Sequence, residues 1–255
     1  MEITSRKNET VRRFRELARD KKLRDSEGTF VIEGDHLCTE AVSAGFEIVA
    51  ALITQSAARR YASASQLERC AKSCMVISDD IAEYISDTKS PQGLFAQLKR
   101  KPVPTVAGNR LVILDGVQDP GNVGTIIRTA EALGINGVLL SEGCADIWSP
   151  KVLRASMGSV FRMPCISGQL PLMITSLKEQ GFSVYGAMLD ETAQRLGEIE
   201  FPEKAAAVIG SEGSGISQEV RNVCTGGLYI PISGAESLNA AAAASIILWE
   251  LSGRG

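Results

Sequence analysis

Short apolar runs alternate along the chain with segments whose apolar residues recur every three or four positions, the spacing of a helix with one buried face. The opening stretch, "MEITSRKNETVRRFRELARDKK", reads as a basic helix. It is followed by a strand over 28–34, a helix over 35–45 stopped by Gly45, a strand over 46–54 and a helix over about 57–73. A strand over 74–78 and a helix over 79–87, capped by Asp79, complete the first part. "SPQGLFAQLK" then leads into the proline-containing stretch 100–109, which reads as a linker, so the boundary is placed near 105, with domains 1–104 and 105–255. The second part alternates more regularly. Strands are expected over 110–116, 137–142, 162–167, 183–189, 205–212 and 227–232, with helices over 124–134, 149–160, 171–181, 217–224 and 237–251. Strands separated by helices imply an α/β fold with a parallel sheet covered on its faces, and ligands in such sheets bind beyond the carboxyl ends of the strands. The glycine-rich segments 116–124, 210–215 and 232–236 all fall at strand ends of that kind, and are expected to converge on one pocket.

Composition narrows the chemistry. The 255 residues, 44% of them hydrophobic, suffice for real cores. No run approaches the ~18 apolar residues of a membrane span, and the N-terminus lacks a signal peptide's apolar centre, so a cytoplasmic protein with no membrane partner is expected. The six cysteines form no CxxC pair and no histidine completes a zinc set, so free, buried thiols are expected and no metal site. The single histidine, His36, reads as a polar residue at a helix start. A net charge of −3 hides an uneven distribution: residues 1–24 carry nine Lys/Arg against four acids, residues 109–255 ten against fifteen. The basic segment reads either as a footprint for a polyanion such as RNA or as a solvated helix face. "GSEGSG" does not match GxGxxG, and GxxxxGK[ST] is absent, which excludes the familiar dinucleotide and P-loop sites. What remains is an arginine, an asparagine, a glutamate and several backbone loops, a set suited to positioning and electrostatic stabilisation.

Three segments carry a resemblance. "DPGNVGTIIRTAEALG" resembles the first motif of the SpoU (TrmH) group of SPOUT RNA methyltransferases, "IGSEGSGIS" the second and "IPISGAESLNAAAA" the third, in that group's order and over about 109–251. "SPKVLRASMGSVFRMP" resembles the segment that group carries between its first two motifs, and "FVIEGDHLCTEAV" looks like part of its smaller α/β substrate-binding domain, similar to a ribosomal-protein fold. The resemblance implies a trefoil-knotted parallel-sheet domain, a homodimer formed through it, and S-adenosyl-L-methionine as cofactor. The implied activity is 2′-O-ribose methylation of RNA, ribosomal by preference, with transfer RNA as the alternative substrate. A non-catalytic RNA-binding assembly factor of the same fold is the rival class. By position, Asn122, Arg128, Glu212, Ser237 and Asn239 match the group's polar catalytic residues, and Gly210, Ile230 and Leu238 its cofactor loops. Arg12, Arg13 and Arg15 on the basic arm are the candidates for RNA contact. Because a guanidinium keeps its proton, Arg128 is expected to hold a phosphate or stabilise alkoxide charge, although that group's mechanism often gives this arginine the task of activating the hydroxyl. Ser237 reads equally as the N-cap of the last helix.

Overall fold

The computed structural model describes residues 2–103, 105–188, 192–233 and 237–253. They divide into two compact units, one made of the chain up to Pro102 together with Asp146–Arg162, the other of Val103–Ala145 and the chain from Met163 onward.

In the first unit β1 (Glu2–Ile3) is followed by α1 (Glu9–Arg19), whose Val11, Phe14 and Leu17 form a buried stripe at helical spacing. Asn8 caps α1 by accepting from the Thr10 and Val11 N–H groups. Asp20 ends α1 and caps α2 (Lys21–Glu27), accepting from the Lys22 N–H at 2.8 Å. Then come β2 (Thr29–Glu33), α3 (Asp35–Ser43), β3 (Ile48–Thr54), α4 (Gln55–Arg60), α5 (Ala62–Cys70), β4 (Cys74–Ile77), α6 (Asp79–Ile85) and β5 (Leu94–Lys99). The helix read over 57–73 is thus two, broken at Tyr61. The stretch before the linker is a strand with Leu94–Leu98 buried, inserted antiparallel between β3 and β2 in a sheet ordered β1-β4-β3-β5-β2.

The second unit begins with β6 (Arg110–Asp115), α7 (Pro120–Ala132) and β7 (Gly137–Ser141). The chain then returns to the first unit for α8 (Pro150–Ala155) and its flanks. Trp148 and Phe161 pack there with Phe30 and Phe46, at ring-centroid distances of 4.5 Å (Phe30–Trp148) and 5.1 Å (Phe46–Phe161). In the same segment Asp146 accepts from Nε and Nη2 of Arg24, at 2.8 and 2.7 Å, and only 4% of the Arg24 side chain is exposed. Arg24 Nη1 also donates to the Leu17 carbonyl at 2.6 Å. Local alternation assigns this helix to the second half; its packing assigns it to the first.

The chain continues in the second unit through β8 (Cys165–Gly168), α9 (Leu170–Glu179), β9 (Ser183–Ala187), β10 (Gln194–Arg195), β11 (Ala205–Gly210), α10 (Gln218–Val223), β12 (Gly226–Tyr229) and α11 (Ala240–Leu251). Among the described residues the sheet runs β10-β12-β9-β11-β6-β7-β8, and every pairing is parallel. β6 and β11 are buried neighbours, and α11 packs on α7 and β11. From β6 the sheet grows through β7 to β8, whereas β11 connects onward to β12 on its other side. The order therefore switches between β6 and β11, the place where an open parallel sheet offers a crevice at its carboxyl edge.

Candidate active site

The carboxyl ends of β6 and β11 lie side by side, with Asp115 opposite Gly210. Beyond β6, α7 starts four residues earlier than the apolar spacing suggests, because Asp119 caps it from the Asn122 N–H at 2.8 Å and Pro120 stands in its first turn. Asn122 is therefore held in the first turn of a helix. Beyond β11 the chain makes a tight turn in which Ser211 and Gly215 exchange backbone hydrogen bonds of 3.1 and 3.0 Å. Gly215 has φ +65°, and a Cβ on Gly210 would overlap the Gly215 backbone, so both glycines are structural requirements of the turn. Asp115 accepts from the Ser217 N–H at 2.8 Å and ties the far end of the turn back to β6.

Glu212 stands on that turn and accepts a hydrogen bond from Asn122 Nδ2. Asn122 Oδ1 in turn accepts from Asn239 Nδ2 at 3.0 Å, and Asn239 Oδ1 accepts from the Ala241 and Ala242 N–H groups as the N-cap of α11. The orientation of both amides follows from the ends of this chain of hydrogen bonds. An ionised carboxylate only accepts and a helix N-terminus only donates, so each amide has one consistent placement of its oxygen and nitrogen. Three residues 117 positions apart at the extremes, Asn122, Glu212 and Asn239, are thus joined. α11 begins at Ala240, so the cap is Asn239, and the reading of Ser237 as the cap is corrected.

Ser237 instead lines a cavity of about 350 Å³ at the ends of β9, β11 and β12. Gly210, Glu212, Ile230 and Leu238 line it too, with Met188 supplying a further apolar wall. Of the glycine-rich segment 232–236, Ile232 lines the cavity, and Gly234, Ala235 and Glu236 lie outside the described residues. Among the described lining residues the charged ones are Glu212 and Arg221. Arg221 is held by a 3.2 Å hydrogen bond from Nε to the Ile216 carbonyl, which leaves its Nη groups for a ligand. Arg221 carries no signal in the sequence, because one arginine on a six-residue helix stands out only once the turn at 211–215 brings that helix to the cavity.

Arg128 is not gathered with the others. It projects from the exposed side of α7, does not line the cavity, and no described residue forms a hydrogen bond or ion pair with its guanidinium. The three arginines of the basic arm lie on α1 in the first unit. Arg13 pairs with Glu27, Arg15 stacks on Tyr84 at 3.7 Å, and Arg12, 63% exposed, has only a 3.9 Å contact to Glu16. His36 is also in the first unit, exposed, with Nε2 3.1 Å from the Met157 carbonyl. Of the cysteines, Cys38 is buried, Cys144, Cys165 and Cys224 are partly buried, and Cys70 and Cys74 are exposed, which corrects the expectation of buried thiols. Burial pushes the Cys165 thiol up to about 12 and Cys224 to about 11, so neither is a thiolate nucleophile at neutral pH.

Residues 109–249 match the SpoU rRNA Methylase family, and residues 8–96 match the MRM3-like substrate binding domain. The chain is 36% identical over 253 residues to a 23S rRNA (guanosine(2553)-2′-O)-methyltransferase of Bacillus subtilis, with 99% of each chain covered. An AdoMet-bound rRNA methyltransferase from Sinorhizobium meliloti superposes with a TM-score of 0.88 at 28% identity, covering 100% of this chain and 98% of that one. The SpoU methyltransferase AviRb from Streptomyces viridochromogenes, in complex with AdoMet, superposes with a TM-score of 0.86 at 25% identity, covering 97% and 98%. The family match spans more than half of the chain and includes every residue of the joined polar set, and the chain belongs to the SpoU methylase family.

Proposed function

We propose that the protein is an S-adenosyl-L-methionine-dependent RNA 2′-O-ribose methyltransferase acting on large-subunit ribosomal RNA. The observation that carries this reading is the convergence of Asn122, Glu212 and Asn239 beside a cavity at the carboxyl edge of the parallel sheet. The cavity fits the cofactor. Its apolar walls suit an adenine ring, the backbone of strand ends suits hydrogen bonds to adenine and ribose, and one carboxylate with one guanidinium matches a zwitterionic amino-acid end. Gly210, Ile230 and Leu238 would hold the nucleoside, and Arg221 the carboxylate. The bound cofactor supplies a methyl group on a positively charged sulfur.

The protein's own contribution is placement. Asn122 and Asn239 hold Glu212 and each other in one geometry, so their polar groups need no reordering when the ribose arrives. Ser237, released from capping, offers a hydroxyl at the cavity wall. Arg128 keeps its proton and serves as a fixed positive charge for the phosphate or the developing alkoxide, while the ribose proton leaves to water or phosphate. The first unit binds RNA, with Arg12, Arg13 and Arg15 contributing phosphate contacts.

The protein works as a homodimer through the second unit. That arrangement is supported by the exposed Ile246 and Trp249 on α11, and by Arg128 standing apart from the cavity of its own chain. A trefoil threading of the segment leading into α11 goes with the same reading, supported by the packing of α11 on α7 and β11. Among the described residues no helix is long and apolar enough to cross a membrane, and the cytoplasm, where ribosomal RNA is met, is the proposed location.

The test is methyl transfer from labelled S-adenosyl-L-methionine to unmodified ribosomal RNA and transfer RNA, with Arg128→Ala beside the parent. Label recovered as a 2′-O-methyl nucleoside from large-subunit RNA, and lost in the variant, is the expected result. No transfer and no cofactor binding would leave an RNA-binding assembly factor in its place.

A further inference from the structure

The first unit contains a second cavity, of about 340 Å³, that the methyl-transfer chemistry does not use. It is lined among others by Glu33, His36, Leu37, Gln92, Arg154 and Met157. Its volume falls in the lower part of the ~300–1,000 Å³ range of small-molecule sites.

Glu33 ends β2 and is largely buried, and although Arg154 lines the same cavity, no described cation forms a hydrogen bond or ion pair with its carboxylate. Its carboxylate accepts from Ser86 Oγ at 2.7 Å and from Thr88 Oγ1 at 3.3 Å. Arg154 does not neutralise it, being clamped by Asp87 through two hydrogen bonds of 2.7 and 2.9 Å. A carboxylate has roughly four acceptor positions, so one lone pair on each oxygen remains open. Burial holds the Glu33 carboxyl above the usual carboxylate range; the Ser86 hydrogen bond and the positive charge of Arg154 offset it only in part, and the charge of Asp87 works against them.

The neighbouring groups are fixed rather than loose. Gly34, with φ +100°, cannot cap α3 with a side chain, and Gln92 Oε1 does so instead, accepting from the Asp35 N–H at 2.7 Å. A Cβ on Gly34 would come within 2.9 Å of that oxygen. Gln92 Nε2 is consequently an oriented donor with no described partner. Met157 has φ +51°, the one positive φ at a non-glycine among the described residues, and is 42% exposed. Such backbone strain persists where the surroundings impose it, and here the carbonyl of Met157 faces His36. Leu37 and Met157 offer apolar surface for the faces of a flat ligand.

We propose that this cavity receives the base of an unpaired guanine in the RNA, with Glu33 accepting from N1–H and the 2-amino group and Gln92 Nε2 donating to O6. The proposal rests on the RNA-methyltransferase reading for the source of the guanine. Unpaired bases are commonly read on their Watson–Crick edge by splaying them into such pockets. Guanine alone presents an imino and an amino donor side by side on that edge. Adenine and cytosine set a ring acceptor against the carboxylate, and uracil sets a carbonyl on each side of its single N–H.

The test follows the methionine methyl signals of the full chain, carbon-13 labelled and with Met157 assigned by Met157→Leu, during titration with guanosine, adenosine, cytidine and uridine monophosphates. The Met157 signal should move with the guanosine nucleotide, at concentrations at least about tenfold lower than with any other. Glu33→Gln should remove that response. So should Gln92→Glu, which keeps the cap on α3 but replaces the donor with an acceptor. The signals of the other methionines report that both variants remain folded. No movement with any nucleotide, equal movement with all four, or a response that survives both substitutions would each overturn the proposal. Methyl transfer by the parent on the same preparation separates this outcome from the larger reading: guanosine binding in a chain that transfers no methyl group sustains the pocket and removes the enzyme.

Discussion

At Asn239 one side chain does two things, and they can be separated. Its oxygen caps α11 and its nitrogen fixes Asn122. Asn239→Asp keeps a capping oxygen and removes the donor, so it should leave Tm nearly unchanged while lowering methyl transfer strongly. Asn239→Ala should lose activity and about 1 kcal/mol of stability as well. Thermal melts and rates measured together on both variants check this. Arg221→Ala should weaken S-adenosyl-L-methionine binding in calorimetry by about tenfold or more, through loss of a charge-assisted contact, yet leave 5′-methylthioadenosine, which has no carboxylate, almost unaffected. Equal weakening of both ligands would mean that Arg221 only braces the turn through the Ile216 carbonyl. At Glu33 the sign of the pH effect can be derived. A carboxyl raised in the folded state gives its full stabilisation below the unfolded value of about 4.5, and this is lost as pH rises through the folded value. Glu33→Gln mimics the neutral form throughout, so it should raise Tm at pH 7, with the gain shrinking towards pH 4.5. A residue whose removal stabilises the protein is one retained for another reason, which agrees with a ligand role for Glu33.

At the scale of elements, some boundaries could be read from sequence and others were set by partners far along the chain. The strand ends beyond β6, β11 and β12 were legible because glycines and polar residues interrupt strongly apolar runs, and the residues named there, Asn122, Glu212 and Asn239, do come together. The start of α11 was not, because Ser237 and Asn239 are both good caps and only the approach of Asn122 decides between them. Nor was β5. Pro91 and Gly93 announce a loop, and the strand that follows is recognisable only once β2 and β3 flank it. The least legible element is α8. Its apolar positions, among them Val152 and Leu153, satisfy a helix pattern that fits either unit, and the deciding contact is Asp146 on buried Arg24, 122 residues away. Asp146→Ala leaves that guanidinium without its carboxylate, a loss of about 3–5 kcal/mol for a buried pair. For a chain of this size Tm should fall by on the order of 10 °C. A calorimetric Tm within a degree or two of the parent would mean that solvent reaches Arg24 after all.

For the whole molecule, the boundary read near residue 105 separates two sequence segments but not two self-sufficient bodies. A fragment of residues 1–104 lacks Asp146, Trp148 and Phe161, so it should expose Phe30 and Phe46 and leave Arg24 unpaired. It should bind a hydrophobic dye and show poor near-UV circular dichroism, whereas adding residues 146–162 as a peptide should restore order. The same discontinuity imposes a schedule on synthesis. A domain made of one continuous stretch can finish folding as soon as its last residue leaves the ribosome, before the next has begun. Here the first unit waits for Arg162, and by then β6, α7 and β7 of the second unit have already emerged. The two halves must therefore mature interleaved, with the apolar floor around Phe30 left open for the time it takes to translate the sixty residues from Pro102 to Arg162.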